Sequence, residues 1–169
     1  MNVLMLVLRL VHIVGGIFWV GSALLMNFFI APTLRATGDA GRQVGGYFAL
    51  QTRFSQVMSI SVWATLIAGF VMYGLDSNWF RSAWMMSSVG TGFGVGALFA
   101  LVGMVTGFMN GNNIRRLGAL GAQIQGKPTP EQAAQLGAIA KQQAWVVPVN
   151  SWTLLLAGVL MAISRYLVF

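Results

Sequence analysis

IVGGIFWVGSALLMNFFI, residues 13–30, is 18 residues long and contains no charged side chain. A stretch of that length is sufficient to carry an α-helix through the hydrocarbon core of a bilayer. Apolar sequence extends on both sides of it, from about Val3 to Leu34, interrupted by Arg9 and His12. Three further segments of the same character follow, from about Gln56 to Leu75, Trp84 to Met109 and Trp145 to Phe169. The chain is therefore expected to be an all-α integral membrane protein, a four-helix bundle with four transmembrane crossings in one domain over residues 1–169.

Composition agrees. Hydrophobic residues make up 57% of the 169 and charged ones 8%, with a mean hydropathy of +0.74, a balance foreign to water-soluble domains. Gly21 and Ala23 stand at the spacing of a signal-peptidase site. Yet the apolar stretch continues past them to Ile30, and Arg9 lies inside the segment rather than before it, so span one is read as retained.

The net charge of +7 does not indicate nucleic acid, because the basic residues are scattered between and at the ends of apolar segments. They carry orientation instead. Arg35, Arg42, Arg53, Arg115, Arg116, Lys127 and Lys141 fall on one side, seven in number, against Arg9, Arg81 and Arg165 on the other. Positive loops stay in the cytoplasm, so both termini are expected to face outward. Trp79, Trp84 and Tyr166 then mark the outer interface and Trp145 the inner one.

Residues 111–144 are too patterned for a plain connector. Ile114, Leu117, Leu120 and Ile124 recur at helical spacing, as do Ala133, Leu136, Ala140 and Ala144. Between them Gly126-Lys127-Pro128 forms a turn, Thr129 is placed to cap, Pro130 suits a first helical position and Gln132 completes a capping box. A cytoplasmic helical hairpin is expected, continuing spans three and four beyond the membrane, with Pro148 bending the fourth where it enters lipid.

Candidate chemistry is sparse. Zero cysteines exclude disulfides, thiolate metal sites and a cysteine nucleophile. No catalytic set is apparent, and no carboxylate falls within a span, since the acids are Asp39, Asp76 and Glu131. His12 is the only histidine, and Arg9, His12, Gly16, Trp19 and Ala23 share one helical stripe. Three roles suit His12: a hydrogen bond across helices, ligation of a haem or metal, or proton or quinone chemistry. Arg9 and Arg165 either snorkel to headgroups or clamp an anionic group such as a haem propionate.

Methionines at 1, 5, 72, 85, 86 and 161 lie towards the outer side. Met5, Met85 and Met86 with His12 form a conceivable soft site for copper(I), against methionine's ordinary use as apolar filler. Asn27 and Asn150 read as interhelical hydrogen-bond partners towards the inner leaflet. Gly92, Gly96, Ala100, Gly103, Gly107 and Gly111 make one small-residue face along span three, suited to packing in the bundle, to a self-association seam or to a flat cofactor.

The run LRLVHIVGGIFWVGSALLMNFFIAPTL, Leu8 to Leu34, resembles the first span of the CopD-like superfamily of bacterial membrane proteins. That signature is a histidine followed by small residues and Trp-x-Gly, here His12, Gly15, Gly16, Trp19 and Gly21. The RRLGALGAQIQ segment from Arg115 to Gln125 and the turn Pro128 to Glu131 extend the likeness over the chain. The resemblance implies a protein of the bacterial cytoplasmic (inner) membrane, with other membrane subunits or a second copy of itself as partners besides lipid. HemJ-type protoporphyrinogen oxidases are similar too, with a haem-linked histidine seven residues before a tryptophan, as His12 and Trp19 stand here. The chain departs in lacking a basic residue in the second half of span one and a second histidine. Haem b, if held, takes its other axial ligand from methionine, water or another chain.

Overall fold

The computed structural model describes residues 3–167 except Gln125, leaving aside the side chains of Arg42, Ala49 and Leu50. Met1 and the last two residues expected in span four therefore lie outside the described residues. The first long helix comprises α1 (Val3–Leu25), a π-helical turn (Met26–Ile30) and α2 (Ala31–Ala36). The rest of the chain forms α3 (Gly38–Gln51), α4 (Phe54–Asp76), α5 (Ser88–Gln123) and α6 (Pro130–Ile163). Four stretches are long and apolar enough to cross a membrane: Val3–Ala36, Phe54–Asp76, Ser88–Gln123 and Pro130–Tyr166. The protein is an all-α membrane bundle, with no strand among the described residues.

Two departures from the sequence pattern have local causes. The apolar run from Trp84 does not begin the third span, because Ala83–Met86 forms a separate 3-10 turn and Ser87 starts a new helix by accepting from the Gly90 amide at 3.1 Å. The connection after span one is helical rather than a loop. Its four glycines, Gly38, Gly41, Gly45 and Gly46, argue against a helix by propensity. Gly41 is nevertheless required, since a Cβ there would strike the Leu34 carbonyl where α3 folds back on α2.

At the other end of the long helices the hairpin forms as its punctuation dictates. Gly126 takes the left-handed φ of +85°. The Thr129 hydroxyl accepts from the Gln132 amide at 3.2 Å, and the Gln132 side chain accepts from the Thr129 amide at 2.9 Å. At 36 and 34 residues, α5 and α6 are each over about 50 Å long, against a hydrocarbon thickness of ~30 Å. Their paired ends must project from the membrane. α6 passes through Pro148 as one helix.

Between α4 and α5, Asn78, Trp79 and Phe80 adopt φ of 49°, 53° and 67° in succession. A left-handed turn costs roughly 1–2 kcal/mol per L-residue. Aromatic packing offsets that cost: Trp79 lies on Gly74, and Phe80 meets Phe70 and Tyr73 with ring centroids 5.6 and 5.9 Å apart. The Ser77 carbonyl accepts from the Arg81 and Ser82 amides and holds the turn closed.

The bundle consists of two pairs. α5 packs along α6, and α1 packs along α4; the contacts from one pair to the other are much smaller. What joins them is an apolar layer of Trp19, Val62 and Leu154, with Leu66, Ala100 and Met104 against it. Trp19 is 4% exposed and Leu154 fully buried.

Candidate functional site

His12 sits in the α1–α4 interface, where glycines let the two backbones approach. A Cβ on Gly15 would lie 2.6 Å from the Thr65 hydroxyl, and one on Gly69 would lie 2.7 Å from His12 Cε1. The imidazole therefore rests on the bare backbone of α4. Its Nδ1 is 2.7 Å from the Thr65 carbonyl oxygen. A carbonyl only accepts, so Nδ1 carries the proton and, in the neutral ring, Nε2 holds the free lone pair. The Thr65 hydroxyl beside it is buried without a hydrogen-bond partner.

The other residues of the stripe separate by environment. Gly16 lies near the Thr65 methyl at 3.7 Å, and Trp19 is buried two turns further along in the layer that joins the pairs. Arg9 is exposed on α1, and Arg165 is exposed in the terminal 3-10 turn. No hydrogen bond or ion pair among the described residues joins either arginine to His12. Met5 is half-buried on α1; Met85 is half-buried and Met86 exposed in the 3-10 turn that packs on α5. The described residues hold no group of three or more His, Cys, Asp and Glu side chains placed for a metal ion.

The small-residue face of α5 is filled by α6. A Cβ on Gly92 would meet Ser164 Oγ at 2.7 Å, one on Gly96 the Met161 methyl at 3.3 Å, and one on Gly107 the Asn150 amide nitrogen at 3.3 Å. One on Gly103 would strike Leu154. Ala100 packs against the apolar layer. The face is thus packed within the bundle from Gly92 to Gly107, while Gly111 has no atom within 4 Å of a Cβ built there.

A second constellation forms where the sequence shows only separate polar residues. Asn27, in the π-helical turn just before Pro32, donates to Ser151 Oγ at 2.9 Å and to Asn150 Oδ1 at 3.3 Å. Asn150 in turn donates to the Gly103 carbonyl at 2.7 Å and to Thr106 Oγ1 at 3.2 Å. Three long helices thus meet in one buried polar cluster. Proline within two of the apolar spans, Pro32 and Pro148, was the available signal, because proline removes a main-chain donor and polar groups gather where the helical ladder is interrupted. Thr106 and Ser151 gave no signal of their own.

No protein-family model, curated protein or solved structure matches this chain.

Proposed function

We propose that the chain is a non-catalytic accessory subunit of a bacterial inner-membrane complex, of CopD-like type, which offers His12 Nε2 as an axial ligand to a haem. The observation that carries this is the 2.7 Å contact from His12 Nδ1 to the Thr65 carbonyl. Histidines that ligate metals characteristically donate their other ring N–H to a carbonyl or carboxylate, which fixes the tautomer and aims the free nitrogen.

His12, the only histidine, is the one imidazole that would hold such a group. The spaces at Gly15 and Gly69 are taken by Thr65 and by the imidazole itself, so a macrocycle would lie against the α1–α4 pair rather than within it. Its second ligand then comes from another subunit, from a second copy or from water. A bound haem would supply one-electron chemistry, or serve as a structural pigment. An accessory role is also supported by the carboxylates: Asp39 and Glu131 lie in first turns of α3 and α6, and Asp76 ends α4. Proton-coupled machinery usually needs an acid inside the span. We assign the hairpin to the cytoplasm and both termini to the outer side on the distribution of Lys and Arg.

The test is an absorption spectrum with iron and copper analysis on protein purified from native membranes, together with the mass of the complex that travels with it. A Soret band that disappears in His12→Ala, with the complex intact, is the expected result. Colourless, metal-free protein would overturn the ligand assignment and leave His12 as an interhelical hydrogen-bond donor. Turnover of a porphyrinogen or copper substrate would favour the redox alternative, a HemJ-type or copper-handling protein.

A further inference from the structure

Five of the basic residues that fall on one side of the bundle also share a height, which three contacts between helices fix. Gly107 of α5 faces Asn150 of α6, and nine residues further along, towards the hairpin, stand Arg116 and Lys141. Val62 of α4 lies in one layer with Leu154 of α6; nine residues from each, towards the same end, stand Arg53 and Trp145. Asn27 bonds to Asn150, and eight residues beyond them stand Arg35 and Gln142. At a rise of ~1.5 Å per residue, Arg35, Arg53, Arg115, Arg116 and Lys141 therefore fall within about one helical turn of a common level. Each of the four spans contributes, and all five side chains are exposed.

That level is an edge. At it or just below, towards the middle of the bundle, the exposed side chains are apolar on every span: Phe29 and Ile30, Val57, Ile114, and Trp145. Beyond it the exposed faces of the hairpin carry Ala119, Gln123, Gln135 and Ala138. A change from apolar to cationic at one height, with a tryptophan in it, marks the boundary between hydrocarbon and headgroups. Arg35 donates through Nε to its own helix, at the Ala31 carbonyl, and no ion pair among the described residues neutralises any of the five. Of the carboxylates on this side, Asp39 opens α3, and Glu131 stands ten residues from Lys141, ~15 Å up the hairpin. The chain thus supplies at most one carboxylate, Asp39, near the level of five cations.

We propose that this collar binds anionic phospholipid headgroups, its five cations holding the phosphates of the surrounding leaflet and enriching anionic lipid against the protein over zwitterionic lipid. Guanidinium takes a phosphate through paired N–H donors and lysine takes it as a point charge, both on stems long enough to reach out from the helix surface. Lipid is the occupant because the collar follows the apolar edge; an acidic soluble partner would have no reason to select that height over the rest of the projecting hairpin. The proposal is independent of any haem at His12.

The test places the full chain in vesicles of phosphatidylcholine and phosphatidylglycerol in equal parts and measures, by mass spectrometry, the lipids that stay with it on mild extraction. One cation at an anionic surface shifts local occupancy roughly fivefold, so the collar should retain phosphatidylglycerol over phosphatidylcholine by at least about tenfold. Arg115→Gln combined with Arg116→Gln should lower that ratio at least about threefold. The double variant keeps five of the seven basic residues on its side, against three on the other, so its orientation is retained. Lys127→Gln, eleven residues beyond Arg116, should leave the ratio unchanged. Retention at the bulk ratio, or Lys127→Gln lowering it as far as the double variant does, overturns the collar. The wild-type chain gives a second reading that needs no variant: the enrichment should fall as salt is raised, and enrichment indifferent to salt overturns an electrostatic site. Inorganic phosphate that displaces the lipid where chloride of equal ionic strength does not would make the ligand a free anion and overturn the lipid assignment.

Discussion

Gly69 has no side chain because His12 occupies the place where one would be. Gly69→Ala forces a methyl to within 2.7 Å of the ring, and overpacking of that kind costs about 1–3 kcal/mol. We expect a lower Tm in detergent and, on the haem reading, loss of the Soret band while His12 itself is retained. An unchanged spectrum with unchanged Tm would show that the ring is free to move. At this scale the sequence carried half of the site. The stripe of Arg9, His12, Gly16 and Trp19 is local periodicity, readable from spacing alone. Its counterpart, Thr65, stands 53 residues away from His12, and the hydrogen bond between them is set by how two spans pack, which no spacing within either span encodes. Asn27 and Asn150 were legible as interhelical hydrogen-bonding positions, and the structure bonds them to each other; only their pairing across 123 residues is set by packing.

α5 separates two kinds of glycine on a single helix. A Cβ on Gly103 would strike Leu154, whereas one on Gly111 has no atom within 4 Å. Gly103→Ala is therefore expected to destabilise by about 1–3 kcal/mol through a forced shift of α6. Gly111→Ala should stabilise by about 0.5–1 kcal/mol, because glycine in a helix is entropically costly. Thermal unfolding of the two variants side by side checks both signs. The hairpin cap offers a milder change: Thr129→Ala removes the capping box at the start of α6 and should cost about 1 kcal/mol, seen as faster amide exchange in that first turn. Spans and hairpin were legible because length, hydropathy and punctuation are properties of contiguous sequence. α3 was not, since its glycines serve a close approach to α2 that exists only once the chain has folded back. The start of α5 was displaced for a related reason. Trp84 to Met86 is apolar enough for a span, but Ser87 provides a better helix start than anything before it.

For the whole molecule, orientation is the first quantity to measure. Single cysteines at Arg81 and Lys127 of the cysteine-free chain should label from opposite faces of intact spheroplasts, Arg81→Cys from outside and Lys127→Cys only after lysis; the reverse pattern would invert the topology drawn from the basic residues. Pairing also bears on how the protein is made. The partner of α1 is α4, the next span to emerge, and the partner of α5 is α6, so each pair is contiguous in the chain. Each can leave the insertion machinery as a preformed hairpin. The Trp19–Val62–Leu154 layer, the Asn27 bonds, the Tyr73 hydroxyl's bond to the Gly90 carbonyl and the Trp63–Phe108 ring contact then remain to be made between halves already in the bilayer. On this view the two halves are separable cargoes. Residues 1–81 and 82–169 expressed from separate messages should each insert and then co-purify, and Trp19→Ala should loosen that association while leaving insertion of either half untouched.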